Sequence, residues 1–293
     1  SPRMSLHIFG TVLTARAVSA NNRGENEGTA TTLQKIIRNG DIYSTVSSEA
    51  IRYALREVWL EDSDLELNRV VSHRGSEWQD REFEKGWDKY IDNDVLGFMH
   101  AKKETLSRRG VLEISRAVST CPWPGTVSAN FASPGANPGV THNNPIPYAA
   151  EMHDTRYQYT FAMTPETLEG ADKLDRLEKT LRGIQNLRRV GGNHARYLYD
   201  FAPEAIVLRV TDDPAPRIML CFDENERGEL SLRRLVRRME GQEPDIAPAE
   251  ILVGSTVDKI DGLDDLKKLN VDIKPGVKAV ITAVVQKAKV TLQ

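Results

Sequence analysis

Residues 5–16 read SLHIFGTVLTAR, with apolar and polar side chains alternating and Leu6, Ile8 and Val12 on one side. Period-two alternation marks a strand with one face against a core. The same signal recurs at 111–118 (VLEISRAV), 156–163 (RYQYTFAM), 205–210 (AIVLRV) and 217–222 (RIMLCF). Two helix patterns lie between these runs. Ser47 or Ser48 can cap the first, Glu49 suits its first turn, and Ile51, Ala54, Leu55, Val58 and Trp59 form one apolar stripe. The second is expected to be the longest helix. Thr164-Pro165 offers a cap and first turn, Leu174, Leu177, Leu181, Ile184 and Leu187 a buried face, and Gly191-Gly192 an end.

The resulting order of strand, helix, strand, strand, helix, strand predicts an α+β chain with the split βαβ, ferredoxin-like arrangement also used by RNA-recognition modules. Such a fold does not specify a function. Residues 17–45 are polar and rich in Asn, Gly and Thr and read as a long loop. Dense mixed charge fills 61–110, where Phe83, Trp87, Tyr90 and Ile91 recur at helical spacing, so a small helical insertion is expected. Residues 120–150 hold six prolines among small polar residues and read as a projecting arm without regular structure. Further on come a basic amphipathic helix (230–239), a strand near 250–253, a short helix near 261–269 and an apolar, β-branched C-terminus.

Composition limits the options. The 293 residues carry 39 Lys plus Arg against 42 Asp plus Glu, which argues against a nonspecific polycation. No apolar run approaches the roughly 18 residues that span a bilayer. Ser1-Pro-Arg3 ahead of Met4 reads as an expression remnant. Cys121 and Cys221 lack metal-ligand spacing, consistent with a reduced cytoplasmic protein. GxxxxGK[ST], GxSxG and HExxH are absent, and His142 and His153 beside Glu151 and Asp154 fit no recurrent metal pattern. The expectation is a protein with no cofactor, no metal and no enzymatic activity of its own.

Three segments concentrate groups suited to a phosphodiester backbone. At the end of the first strand, Arg16, Asn21, Asn22 and Arg23 offer a guanidinium and amides in a glycine-containing loop. At the first helix start, Ser47 and Ser48 join free N–H groups, while Arg52 and Arg56 sit one turn apart on the polar face. After the second helix, Arg189 precedes Gly191-Gly-Asn-His-Ala-Arg196, where Asn193, His194 and Arg196 are compact donors. Tyr197 and Tyr199 read as core aromatics more readily than as base-stacking groups. Arg233, Arg234, Arg237 and Arg238 line the polar face of the 230–239 helix and suit a solvated or interprotomer surface.

Five stretches at these places resemble the DevR-type backbone subunit of type I CRISPR Cascade complexes, the seventh Cas family, related to type I-B and the RAMP superfamily. They are LTARAVSANNRGE (13–25), YSTVSSEAIRYALRE (43–57), DNDVLGFM (92–99), NPIPYAAEMHDTRYQYTFAM (144–163) and GGNHARYLYDFAPE (191–204), and the similarity runs from about residue 6 to 222. The resemblance implies an RNA-recognition-like palm at 5–60, 111–118 and 156–222, helical fingers at 61–110, and a thumb at 120–150 carrying Trp123, Phe131, His142 and Asn143. Residues 223–293 would complete the palm and pack between protomers. It implies binding to the sugar-phosphate backbone of a CRISPR RNA and head-to-tail polymerisation of copies along it. The guide bases would pair with target DNA, beside capping, large and crRNA-processing subunits. Acidic stretches at 61–66 and 92–94 would face basic ones at 230–238. Two other readings stay open: an RNA-cleaving subunit of a type III-like complex using Glu25, Glu27 or Asp41, and a ferredoxin-like structural or regulatory protein without RNA.

Overall fold

A computed structural model describes residues 5–20, 26–27, 30–72, 75–100, 106–132, 146–191 and 198–292. Eight strands define the path of the main sheet: β1 (His7–Thr14), β2 (Lys35–Arg38), β3 (Asp41–Val46), β4 (Ala117–Ser119), β5 (Tyr157–Met163), β6 (Pro203–Thr211), β7 (Ile251–Ser255) and β8 (Asp272–Lys274). They lie in the order β8-β7-β6-β1-β5-β4-β3-β2, with Glu113–Ile114 adding a ninth strand against β5. Neighbours along the path are antiparallel except β7 and β8. The architecture is mixed α+β.

Helices cover both faces. On one, α1 (Ser48–Leu60), α3 (Lys173–Gln185) and α6 (Val277–Leu292) pack with Ile8, Val12, Tyr159, Ile206 and Leu208. On the other, α4 (Arg233–Met239) and α5 (Leu263–Lys268) pack with Phe9, Leu13, Val207 and Val253. The alternation along β1 therefore separates two cores, as period two requires. Gly10 lets strands approach here: a Cβ would stand 2.4 Å from the Phe161 ring. No helix among the described residues is long and apolar enough to cross a membrane.

The helix starts follow capping chemistry. Ser47 caps α1, its Oγ accepting the Ala50 N–H at 3.2 Å, and Ala50, Ile51, Ala54, Leu55 and Trp59 are buried. The second helix departs from expectation. Thr164-Pro165 opens only a single 3-10 turn (Pro165–Thr167); α3 begins at Lys173, where Asp172 caps the Asp175 N–H at 2.9 Å, and ends at Gln185 before the glycines. The longest helix is α6, whose β-branched residues are helical because Val277, Val280, Ile281 and Val284 fill the core shared with α3. Packing there outweighs propensity.

Four further expectations are corrected. The 17–45 stretch is not one loop: β2 and β3 form a hairpin whose turn residues Asn39 (φ 52°) and Gly40 (φ 83°) take the left-handed conformations of a two-residue turn. The 61–110 insertion is mainly hairpins, Arg69–Ser72 with Gly75–Trp78 and Gly97–His100 with Leu106–Arg109. Its helical content is a turn at Trp87–Lys89 and the six-residue α2 (Ile91–Leu96). The recurring aromatics reflect a small core in which Phe83 meets Phe98 at 4.9 Å and His100 at 5.4 Å, with φ 52° at Phe83 excluding a helix. In the 120–150 arm, Val127–Ala132 pairs antiparallel with Ile146–Glu151, so backbone bonding survives the prolines; His142 and Asn143 lie outside the described residues. Residues 217–222 are not a strand. Positive φ at Arg217 and Leu220 breaks extension, and the backbone bonds side chains of the sheet instead: Thr11 Oγ1 donates to Ile218 O (2.7 Å), and the Phe222 N–H donates to Gln158 (3.1 Å).

The insertion is fixed to the sheet layer by two buried carboxylates of α2. Asp92 accepts from Arg56 Nη1 (2.6 Å) and the N–H groups of Asn68 (2.8 Å) and Arg69 (3.0 Å). Asp94 accepts from Arg108 Nη2 (2.6 Å), Arg176 Nη1 (2.5 Å) and the N–H groups of Glu169 and Gly170. The expected acidic surface at 92–94 therefore does not exist, because these side chains are enclosed. Asp94→Ala should destabilise the protein by about 3–5 kcal/mol, since it leaves two guanidiniums and two N–H groups without their acceptor. Urea denaturation measures this, and a loss below about 1 kcal/mol would contradict the assignment.

Candidate nucleic-acid interface

The first and third phosphate-suited segments meet at the end of β1. Thr14 Oγ1 accepts the Tyr157 N–H at 2.9 Å and lies 2.9 Å from Tyr199 Oη. Tyr199 Oη in turn stands 2.8 Å from Thr155 O and 3.1 Å from Ala15 O. Arg156 Nη1 donates to Thr14 O at 3.0 Å and pairs with Glu204 at 3.1 Å. Arg16 projects outward from this base, its guanidinium 3.3 Å from both Asp154 and Glu224. The Glu224 carboxylate is buried and also accepts from Thr120 Oγ1 at 3.1 Å.

A second polar chain joins β3, and with it the approach to α1, to the same end of the sheet. Ser44 Oγ lies 2.6 Å from His153 Nδ1 and 2.8 Å from Tyr157 Oη, which is 3.3 Å from Ser19 Oγ. His153 Nε2 faces Pro122 O at 3.1 Å. A carbonyl there requires Nε2 to carry the proton, so Nδ1 accepts from Ser44. Burial pulls the imidazole down from the usual value of about 6.5 to about 4, against the partial support of the Pro122 carbonyl. His153 is thus a neutral structural residue, and among the described residues no group of three or more His, Cys, Asp or Glu could hold a metal.

The arginines of α1 are placed otherwise than the sequence suggests. Arg56 is committed to Asp92, and Arg52 donates to Leu112 O at 2.8 Å and Leu96 O at 3.5 Å. Both clasp the 61–110 insertion, so neither is free to meet a phosphate. Ser47 Oγ is occupied by its capping bond, and Ser48 is the first helical residue. Arg189 is exposed beside Val190 and Gly191. Asn21, Asn22, Arg23, Asn193, His194 and Arg196 lie outside the described residues. Trp123 anchors the arm's base: its Nε1 donates to Met152 O at 2.9 Å, and Lys35 Nζ sits 4.5 Å from its ring centroid. Phe131 belongs to the strand Val127–Ala132. Sequence reasoning gave no role to Ser44, His153, Arg156 or Glu224, although HDTRYQY was visible as a dense polar-aromatic run ahead of a strand.

The comparisons with known proteins agree with this architecture. A chain of a solved "CRISPR RNA-guided surveillance complex" superimposes with a TM-score of 0.62 at 16% identity, covering 96% of this chain and 99% of that one. A chain from a "CRISPR RNA-guided surveillance complex, pre-nicking" gives 0.64 at 12% identity, covering 96% and 100%. These define a fold class. Residues 11–226 match the model of the family described as "CRISPR-associated negative auto-regulator DevR/Csa2". "CRISPR-associated protein Cas7/Cst2/DevR" of Myxococcus xanthus (strain DK1622) is 40% identical over 304 aligned positions, covering 98% of this chain and 99% of the relative. The chain belongs to the DevR family of CRISPR-associated proteins.

Two outcomes follow. Arg56→Ala should cost about 3–5 kcal/mol by leaving Asp92 buried and uncompensated. Arg16→Ala should cost about 1 kcal/mol or less, because Asp154 is exposed and the buried Glu224 keeps Thr120 and Arg156 as partners; parallel urea titrations compare them. Acid should also weaken the fold through His153. Its folded pKa is depressed, so its contribution is complete above about pH 6.5 and is lost as pH falls toward 4, by about 3 kcal/mol in total. Stability measured from pH 7 to pH 4 should show this slope, and His153→Gln should flatten it; equal slopes would contradict the neutral, buried tautomer.

Proposed function

We propose that this protein is a non-catalytic backbone subunit of an RNA-guided CRISPR surveillance complex, holding the spacer region of the CRISPR RNA by its sugar-phosphate backbone. The observation that carries the reading is the gathering of Arg16, Tyr199 and the Ser44–His153 polar chain at one end of the sheet, in a chain of the DevR family. A subunit serving any guide must grip phosphate and ribose and leave base edges free for target DNA. Arg16 suits that task, because one of its two carboxylate partners, Asp154, is exposed and such a pair is worth at most about 1 kcal/mol. The buried Glu224 keeps Thr120 and Arg156 beside it when a phosphate draws Arg16 away.

In this reading the strands β6-β1-β5-β4 are a ferredoxin-like palm. Their chain order, with α1 after β1 and α3 after β5, is that of two split βαβ units. Residues 61–110 are fingers, and the 120–150 ribbon is the thumb reaching a neighbouring copy. Copies add head to tail along the guide and meet the capping, large and processing subunits. Such an interface is heterologous and open, so RNA length ends the array. A net charge of −3 fits a chain that must pack against itself as well as hold RNA, and the complex would act in the cytoplasm.

The purified protein should carry RNA or form RNA-dependent oligomers. Size-exclusion chromatography with light scattering, before and after ribonuclease, should show the oligomers collapse, and complementary RNA with magnesium should stay uncut. A monomer free of nucleic-acid absorbance and indifferent to added guide RNA would overturn the reading.

A further inference from the structure

Tyr199 stands where three parts of the proposed interface join, yet nothing in the backbone-gripping reading requires a phenol there. Its ring is buried against Tyr157 (5.6 Å) and Phe201 (6.1 Å), so it cannot stack on a base. Burial pushes its ionisation far upward, and the group remains a neutral hydroxyl. One consistent hydrogen-bond order runs through it, with Ala15 O (3.2 Å) as a second acceptor for Thr14 Oγ1. The Tyr157 N–H occupies a lone pair of Thr14 Oγ1, Thr14 Oγ1–H can point to Tyr199 Oη, and Tyr199 Oη–H has Thr155 O and Ala15 O as acceptors. One hydroxyl thus links the end of β1, the approach to β5 and the chain that follows the 192–197 segment.

Its neighbours are the informative part. Ala15 O belongs to the residue directly before Arg16, and Thr155 O to the residue directly after Asp154, the exposed partner of Arg16. On the third side, the Phe201 N–H donates to Arg188 O at 2.8 Å, joining the chain just after Tyr199 to the residue before the exposed Arg189. The hydroxyl therefore holds the backbone directly before Arg16 and directly after its exposed partner Asp154. We infer that Tyr199 is a positioning residue for RNA binding, acting through Arg16 rather than by touching RNA. This rests on the RNA-backbone reading above.

The test is a double-mutant cycle with Tyr199→Phe and Arg16→Ala, scored by binding of an unstructured guide-length RNA across a salt series. Tyr199→Phe keeps the ring and removes only the hydroxyl. It should weaken binding several-fold, within the range of coupled neighbours, and lower the salt slope by roughly one unit, as Arg16→Ala does. In the Arg16→Ala background it should weaken binding little further. A merely structural role lowers the melting temperature but leaves the two effects multiplicative, with the slope unchanged; that result, or binding by Tyr199→Phe equal to wild type, overturns the inference. Should Tyr199→Phe fail to fold, Thr14→Val removes the same link from the β1 side and must show the same non-additivity. Wild-type protein that binds no RNA sinks the underlying reading, and is told apart because every arm of the cycle is then flat.

Discussion

The enclosed carboxylates of Asp92 and Asp94 are the constraint on which the arrangement of this protein depends. A six-residue helix is too short to be stable alone, and the hairpins around it have a core of only a few aromatic rings. What orients this insertion is charge that cannot be left unpaired: Arg56 from α1 meets Asp92, while Arg176 from α3 and Arg108 from a hairpin meet Asp94. Each carboxylate also accepts two backbone N–H groups, so its lone pairs are satisfied. Hydrophobic contact permits small slips, whereas a bidentate pattern around a buried charge does not.

The same arrangement changes how the arginines should be counted. A sequence with many arginines beside serines and glycines suggests a broad cationic surface. The structure spends most of those described on its own acids: Arg156 on Glu204, Arg209 on Asp213 and Glu250, Arg233 on Asp261 and Asp265, Arg234 on Asp223. The described residues therefore form a patchwork of closed pairs, and in the proposed function the grip on RNA falls to a few guanidiniums with at least one exposed partner.

What the sequence made legible were features with local causes. Alternation gave β1, β5 and β6; the serine cap and apolar stripe gave α1; the carboxyl-terminal basic helix followed from its own period. The Asn39-Gly40 turn was equally readable, since IIRNGDIY holds the strongest short hairpin signal there is, and the polar composition around it concealed it. Other misses have non-local causes. Nothing near Arg52 or Arg56 announces that their partners lie 36 to 60 residues on, at Asp92, Leu96 and Leu112. Residues 217–222 satisfy every strand criterion except that Thr11, Gln158 and Thr160 supply the hydrogen bonds a neighbouring strand would have made.

The candidate interface shows the same division. Residue types singled out for phosphate chemistry, such as Arg16, were chosen on a local signal, a guanidinium and amides close together in a glycine-containing stretch. The groups that hold them could not be identified that way, because Thr14, Ser44, Tyr157 and Tyr199 are ordinary core and strand residues until the fold pairs the hydroxyls of Thr14 with Tyr199 (2.9 Å) and of Ser44 with Tyr157 (2.8 Å). A polar network enclosed at the end of an otherwise apolar sheet is stabilising only when every member is paired, so it tolerates one arrangement. That rigidity suits a contact that must read no sequence. A grip on phosphates gains nothing from adapting to the base, and every ångström of freedom in the guanidinium would be spread equally over all guides. In the proposed function, the uniformity asked of such a subunit is set beneath its surface, by uncharged hydroxyls that do not themselves touch the ligand.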